Sequence, residues 1–109
     1  MAELADKELN PPRGDAAPLN GEVLNALARQ LGAGWRVIDG HHLEKTYELA
    51  DFQEALEFTN AVGALAESVD HHPEICLTWG KVKITIWTHS IGGLSEADFV
   101  FAARCEQFL

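Results

Sequence analysis

Of the five histidines in this sequence, whose side chains can move protons near neutral pH, His71, His72 and His89 fall in the informative places. Imidazole titrates near pH ~6.5, so it donates or accepts as its surroundings dictate, and an adjacent carboxylate such as Asp70 or Asp98 can bias which. His71-His72 stands directly before Pro73, whose ring disfavours helical backbone in His72 and so predicts a stiffened turn. His89 follows the run 81–88, in which Val82, Ile84 and Ile86 point one way while Lys81, Lys83, Thr85 and Trp87 point the other. His89 continues the Trp87 side, away from the apolar face.

If 75–78 and 81–88 form a hairpin through Trp79-Gly80, the start of the first strand and the end of the second are neighbours. Pro73 and His89 then share one end of a sheet, which brings the three imidazoles together. General acid-base chemistry is what such a cluster predicts. Trp87 on the same face offers a flat apolar surface for a planar heterocycle. Zinc is the rival, but adjacent histidines rarely both reach one ion, there is no HExxH, and Cys76 and Cys105 are unpaired in the sequence, so no metal is expected. The two cysteines read as small core residues. His41 and His42, beside a hairpin turn, read as surface residues, and Asp98 equally suits a helix cap three positions after Ser95.

The elements that must position these groups follow from periodicity. Asn20 is a plausible N-cap for a helix carrying Val23, Leu24, Leu27 and Leu31, with Gly32 and Gly34 available to end it. Strands over 35–38 and 42–49 flank Asp39-Gly40, a dipeptide suited to a tight hairpin. On the inner side of the second strand Lys45 interrupts Leu43, Tyr47 and Leu49, and its long stem can snorkel outward. Residues 51–69 return to helical rhythm with an apolar sector over roughly half the circumference, wider than the stripe of about 100° that one core contact needs. A second copy of that helix is the expected partner, the alternative being cover by the N-terminal helix. Ser95 with Asp98 opens a C-terminal helix. The reading is an α+β domain over 20–109, order α-β-β-α-β-β-α, with a four-stranded antiparallel sheet, three helices on one face and the other face left for function. Residues 1–19, with Pro11, Pro12 and Pro18 among charged and small residues, read as a flexible tail with little to bury.

Composition narrows the function classes. The 109 residues suit one core, and 17 acidic against 8 basic residues give a formal charge of -9, a field that repels phosphate backbones and anionic lipid. Neither nucleic acid nor membrane is an expected partner. No GxxxxGK[ST] or GxGxxG loop, secretory signal or membrane-length apolar run is read, and sparse cysteine suits a reducing compartment, so a cytoplasmic protein is expected.

The stretch Glu67-Ser68-Val69-Asp70-His71-His72-Pro73-Glu74, then Trp79-Gly80-Lys81-Val82, Thr88-His89, Gly93-Leu94-Ser95 and Asp98-Phe99, resembles the signature of the pterin-4a-carbinolamine dehydratases, bacterial type. Trp35 and the segment 47–52, ending Ala50-Asp51-Phe52, extend the resemblance over about residues 20–109. It implies dehydration of 4a-hydroxytetrahydropterin to quinonoid dihydropterin, recycling the pterin spent by aromatic amino acid hydroxylases. The pterin is then substrate, and no cofactor is implied. The resemblance makes His71, His72 and His89 the active-site histidines and sets Asp70, Pro73, Thr88 and Asp98 around the pocket. Trp87 and Ser90, where members differ, are taken with the same pocket. It implies a homodimer or homotetramer through the 51–69 helix and sheet edges. Some relatives are instead interaction proteins, either a dimerisation cofactor for a homeodomain transcription factor or assembly chaperones.

Overall fold

A computed structural model describes residues 3–12, 14, 16–32 and 34–109. Its helices are α1 (Gly21–Gln30), α2 (Phe52–Val69) and α3 (Glu96–Cys105), and its strands β1 (Arg36–Ile38), β2 (His42–Glu48), β3 (Glu74–Thr78) and β4 (Lys81–Ile86). The expected α-β-β-α-β-β-α order is what forms. All strands pair antiparallel in the order β1-β2-β4-β3. Asp39 and Gly40 both take positive φ in the first hairpin, as a tight turn there requires.

Directly opposed residues share a face, so the register identifies the inner side. Ile84 stands opposite Lys45 and Ile75, Val82 opposite Tyr47 and Leu77, and Ile86 opposite Leu43. On this face α2 packs against β3 and β4, α3 against β2, and α1 against α3. Asp51 caps α2 by accepting the Glu54 N–H at 2.8 Å. The other face is a charged ladder in which Glu44 meets Arg36 at 3.0 Å and Lys83 at 3.4 Å, and the Arg36 guanidinium holds the Glu44 carboxyl below the usual range. The open face, the expected place for function, carries these pairs.

Three expectations are corrected. Cys76 is exposed, because it stands between Ile75 and Leu77 and so points to the charged face; only Cys105 is a core residue. Lys45 does not snorkel to water. Its Nζ meets both Glu106 carboxylate oxygens at 2.8 and 3.0 Å and lies over the Tyr47 ring, whose hydroxyl donates to the same carboxylate. The third concerns the N-terminus. Residues 1, 2, 13 and 15 of the expected tail lie outside the described residues, but Leu4, in a single 3-10 turn at Leu4–Asp6, and Leu9 are buried in the core. Arg104 of α3 donates to Ala5 O at 3.1 Å and to Lys7 O at 2.7 Å, and the Leu19 N–H donates to Leu94 O at 2.8 Å. The reason lies in α3. Ala97, Phe99, Val100, Phe101, Ala102 and Cys105 are all buried, so this helix is apolar on nearly every side and requires cover where the sheet cannot reach.

Leu4→Ala is expected to lower unfolding free energy by about 2–4 kcal/mol, seen as a shifted urea midpoint at constant slope. A change below about 0.5 kcal/mol would put this segment outside the core. A second outcome concerns alkaline pH. Burial pushes the Cys105 thiol up to about 12 from an ordinary 9.0, and also raises the Tyr47 phenol. The unfolded chain therefore loses these protons first, so stability is full below about pH 9 and falls as pH climbs toward about 12. Urea midpoints at about pH 8 and about pH 11 check the sign.

Candidate active site

The site is assembled where α2 stops. Asp70 takes the left-handed conformation, φ 51 and ψ 48, and the His71 N–H donates to Ala66 O at 3.1 Å. A left-handed residue after the last turn reverses the chain, and Asp tolerates that backbone better than a branched residue. The helix is thus ended by Asp70 before the restriction that Pro73 places on His72 comes into play. His71 turns inward and is buried, with its ring edge-on to Phe101, while His72 stays exposed and meets the Glu67 carboxylate one helical turn back.

Behind His71 lies Asp98, fully buried. Its Oδ1 stands 2.6 Å from His71 Nε2, and its Oδ2 accepts the Thr88 hydroxyl and the Ser95 N–H, each at 2.8 Å. Thr88 Oγ1 also lies 2.7 Å from Ser95 Oγ. Since Thr88 gives its one proton to the carboxylate, Ser95 is the donor in that second contact. An ionised carboxylate only accepts, so with Asp98 ionised the hydrogen between Oδ1 and Nε2 belongs to His71. That assigns the tautomer, with Nδ1 the nitrogen left to accept a proton. The capping box expected from Ser95 and Asp98 forms, and the same carboxylate orients the histidine.

β4 ends at Ile86, and the alternation carries on for three residues beyond it, with Thr88 buried and Trp87 and His89 on the other side. An isolated bridge from Thr88 to Gly93 closes the 3-10 turn at His89–Ile91. A cleft of about 670 Å³ opens at this end of the sheet. Val69, Asp70, His71 and His72 line it from the end of α2, and Thr88, His89 and Ser90 from beyond β4. The volume falls in the range of about 300–1,000 Å³ usual for small-molecule sites.

The expected residues therefore separate. Asp70, His71, His72, Thr88, His89 and Ser90 share the cleft, whereas Asp98 stands behind its wall. Pro73 and Trp87 do not line it. Trp87 was expected to present its face to a planar ligand, but the His89 ring is stacked there at 4.4 Å and 7°. Its indole supports an imidazole instead, and His41 and His42 pack against it at 5.2 and 5.9 Å. Sequence reasoning missed Glu67 and the contribution of Pro11, Pro12 and Gly14, which form a further wall of the cleft. The adjacent prolines were the available signal for the latter. Among the described residues no group of three or more His, Cys, Asp or Glu is arranged to hold a metal ion, and no helix is long and apolar enough to cross a membrane.

A buried imidazole with a fixed tautomer and an exposed imidazole on one cleft can move two protons in opposite directions. Comparisons with known proteins bear on which reaction that is. The family model described as pterin 4 alpha carbinolamine dehydratase matches residues 17–108. A Rubrobacter xylanophilus protein provisionally named pterin-4-alpha-carbinolamine dehydratase is 53% identical over 107 residues, covering 98% of this chain and 99% of its own. One of the same name from Alkaliphilus metalliredigens is 47% identical over 107 residues, covering 98% and 96%. Among solved structures, a Brucella melitensis protein described as a transcriptional coactivator/pterin dehydratase superposes with a TM-score of 0.78 at 30% identity, covering 84% of this chain and 97% of that one. A pterin dehydratase-like protein described as a RuBisCO assembly factor in the alpha-carboxysome gives 0.60 at 28%, covering 69% and 88%.

Asp98→Ala leaves the His71, Thr88 and Ser95 donors without their shared acceptor in a dry interior. A loss of about 3 kcal/mol or more in unfolding free energy is expected, by urea titration. A loss under about 1 kcal/mol would show that the carboxylate does not hold the three together.

Proposed function

We propose that this chain, which belongs to the pterin-4-alpha-carbinolamine dehydratase family, expels water from 4a-hydroxytetrahydropterin to give quinonoid dihydropterin. The observation that carries the reading is the buried pair of Asp98 and His71 at 2.6 Å, opening on a cleft that His89 also lines. In the reaction the C4a–O bond breaks, the N5 lone pair forms the C4a=N5 bond, the departing hydroxyl takes one proton and N5 gives one up. Protonation of the leaving oxygen and removal of the N5 proton are each work for a positioned acid or base. The oxidation state does not change, so the step calls for no redox carrier.

His71 is the base in this scheme. Its Nε2–H is committed to Asp98, which orients the ring, so Nδ1 takes the N5 proton and the carboxylate stabilises the imidazolium that forms. His89 is the acid. It is exposed, so solvent restores its proton each turnover, and stacking on Trp87 holds the ring in place. His72 orients the pterin, steadied by Glu67. Asp70, Thr88 and Ser90 complete the pocket.

The wider setting belongs to the same proposal. The protein works in the cytoplasm as a homodimer or homotetramer through α2 and the sheet edges, serving an aromatic amino acid hydroxylase. The flank of α2 supports self-association, since Phe52 is exposed, Leu56 and Leu65 are half-buried, and α1 packs on α3. The structural neighbour described as a RuBisCO assembly factor favours a second reading, a non-catalytic interaction protein on this fold. Against it stands the intact imidazole and carboxylate network, which partner binding does not require.

His71→Ala and His89→Ala are each expected to lower kcat by about 100-fold or more. The measurement follows quinonoid dihydropterin formation from freshly generated carbinolamine, with the spontaneous rate subtracted. Near wild-type rates in both variants would remove the acid-base reading, and capture of a partner with no turnover in the wild type would favour the interaction protein.

A further inference from the structure

We propose that the N-terminal segment at Pro11 and Pro12 is a specificity-determining wall of the cleft. It meets the substituent on C6 of the pterin and favours substrates with an extended, hydroxylated chain there. The inference rests on the dehydratase reading and specifies the part of the substrate that reading leaves open.

The wall is anchored on both sides. Before it, Leu4 and Leu9 are buried in the core; after it, the Leu19 N–H is bonded to Leu94 O. Between these anchors Ser90 Oγ donates to Pro12 O at 3.3 Å, which ties the wall to the residue next to His89. The backbones run close together here. A Cβ on Gly14 would lie 3.2 Å from Ser90 O, leaving little room for any side chain. Two consecutive prolines fix φ and stiffen this stretch. The segment lies before residue 17, where the match to the family model begins.

Its chemistry indicates what it faces. Proline has no N–H, so the wall presents ring methylenes and carbonyl oxygens, which accept but do not donate. With C4a between His71 and His89, C6 is two bonds away through N5, so a chain on C6 leaves the reacting centre beside the residues tied to Pro12. Methylenes suit the carbon skeleton of such a chain, and carbonyls suit its hydroxyl protons. A methyl group on C6 is too short to use either.

The full-length protein is compared with the double variant Pro11→Gly/Pro12→Gly, which loosens the wall, and with Ser90→Ala, which removes its tether. Each is assayed on two freshly generated carbinolamines, one with a 1,2-dihydroxypropyl group on C6 and one with methyl. The ratio of kcat/KM between the two is expected to fall about fivefold in the proline variant, the scale of one neutral hydrogen bond, and by less in Ser90→Ala. A merely structural role slows both substrates together, so an unchanged ratio in the proline variant overturns the wall. Should that variant fail to fold, Ser90→Ala decides by the same ratio. A wild type that turns over neither carbinolamine removes the dehydratase reading and the wall with it, whereas turnover with an unmoved ratio removes the wall alone.

Discussion

A carboxylate taken out of water is tolerated only where its lone pairs are met by donors, and the arrangement around Asp98 follows from that requirement. Three donors converge on it from three places: His71 beyond α2, Thr88 beyond β4, and the Ser95 N–H at the start of α3. Desolvating the charge costs several kcal/mol, and the hydrogen bonds offset that cost only while all three elements hold position. One buried group thereby joins the ends of two helices and a strand at the edge of the cleft. A cap for α3 and an orienting partner for His71 look like rival roles for Asp98 in the sequence. In the folded chain they are one interaction, because the two oxygens of the carboxylate serve different donors.

That interaction also separates the histidines. His71 is buried, with one ring nitrogen assigned by Asp98 and the ring edge against Phe101. His89 is exposed, and among the described residues its ring is held by stacking on an indole that also carries His41 and His42. A hydrogen bond fixes which nitrogen bears the proton; a stacked face fixes the plane of the ring and leaves both nitrogens free to exchange with water. Two imidazoles of identical intrinsic chemistry are thereby made unequal, as the acid and the base of the proposed reaction must be.

The parts legible in the sequence were those governed by a two-fold or 3.6-fold period. The strand β4 follows from its alternation, and antiparallel pairing alone brings the end of α2 and the exit of β4 to the same place. The same period already puts Cys76 on the outer face between Ile75 and Leu77, a consequence that treating cysteine as a buried residue type overrode. Trp87 was put on the correct side, but the i, i+2 relation that set it beside His89 also let His89 cover its ring. Other features depend on contacts that no local pattern encodes. The partners of Asp98 lie 27 and 10 residues away, so its capping spacing says nothing of the histidine. The left-handed turn at Asp70 hides behind the more conspicuous Pro73. In residues 1–19, averaging over a polar, proline-rich composition conceals that two leucines suffice to anchor a segment when α3 has an apolar side left uncovered.

Charge explains why walls matter at this site. With a formal charge of -9 the protein's overall field favours cations, yet the proposed substrate, a pterin carbinolamine, is neutral and would gain nothing from long-range steering. Selection among such substrates therefore falls to short-range contacts, in which shape and hydrogen-bond direction decide. In the proposed reaction the acid-base machinery cannot supply that selection, because His71 and His89 would act on C4a and N5, atoms common to every candidate substrate. Discrimination has to come from groups that meet what differs. The N-terminal segment lines the cleft with Pro11 and Pro12, which carry no titratable side chain, so the proposed wall would sort substrates while leaving the proton chemistry of the imidazoles unaltered.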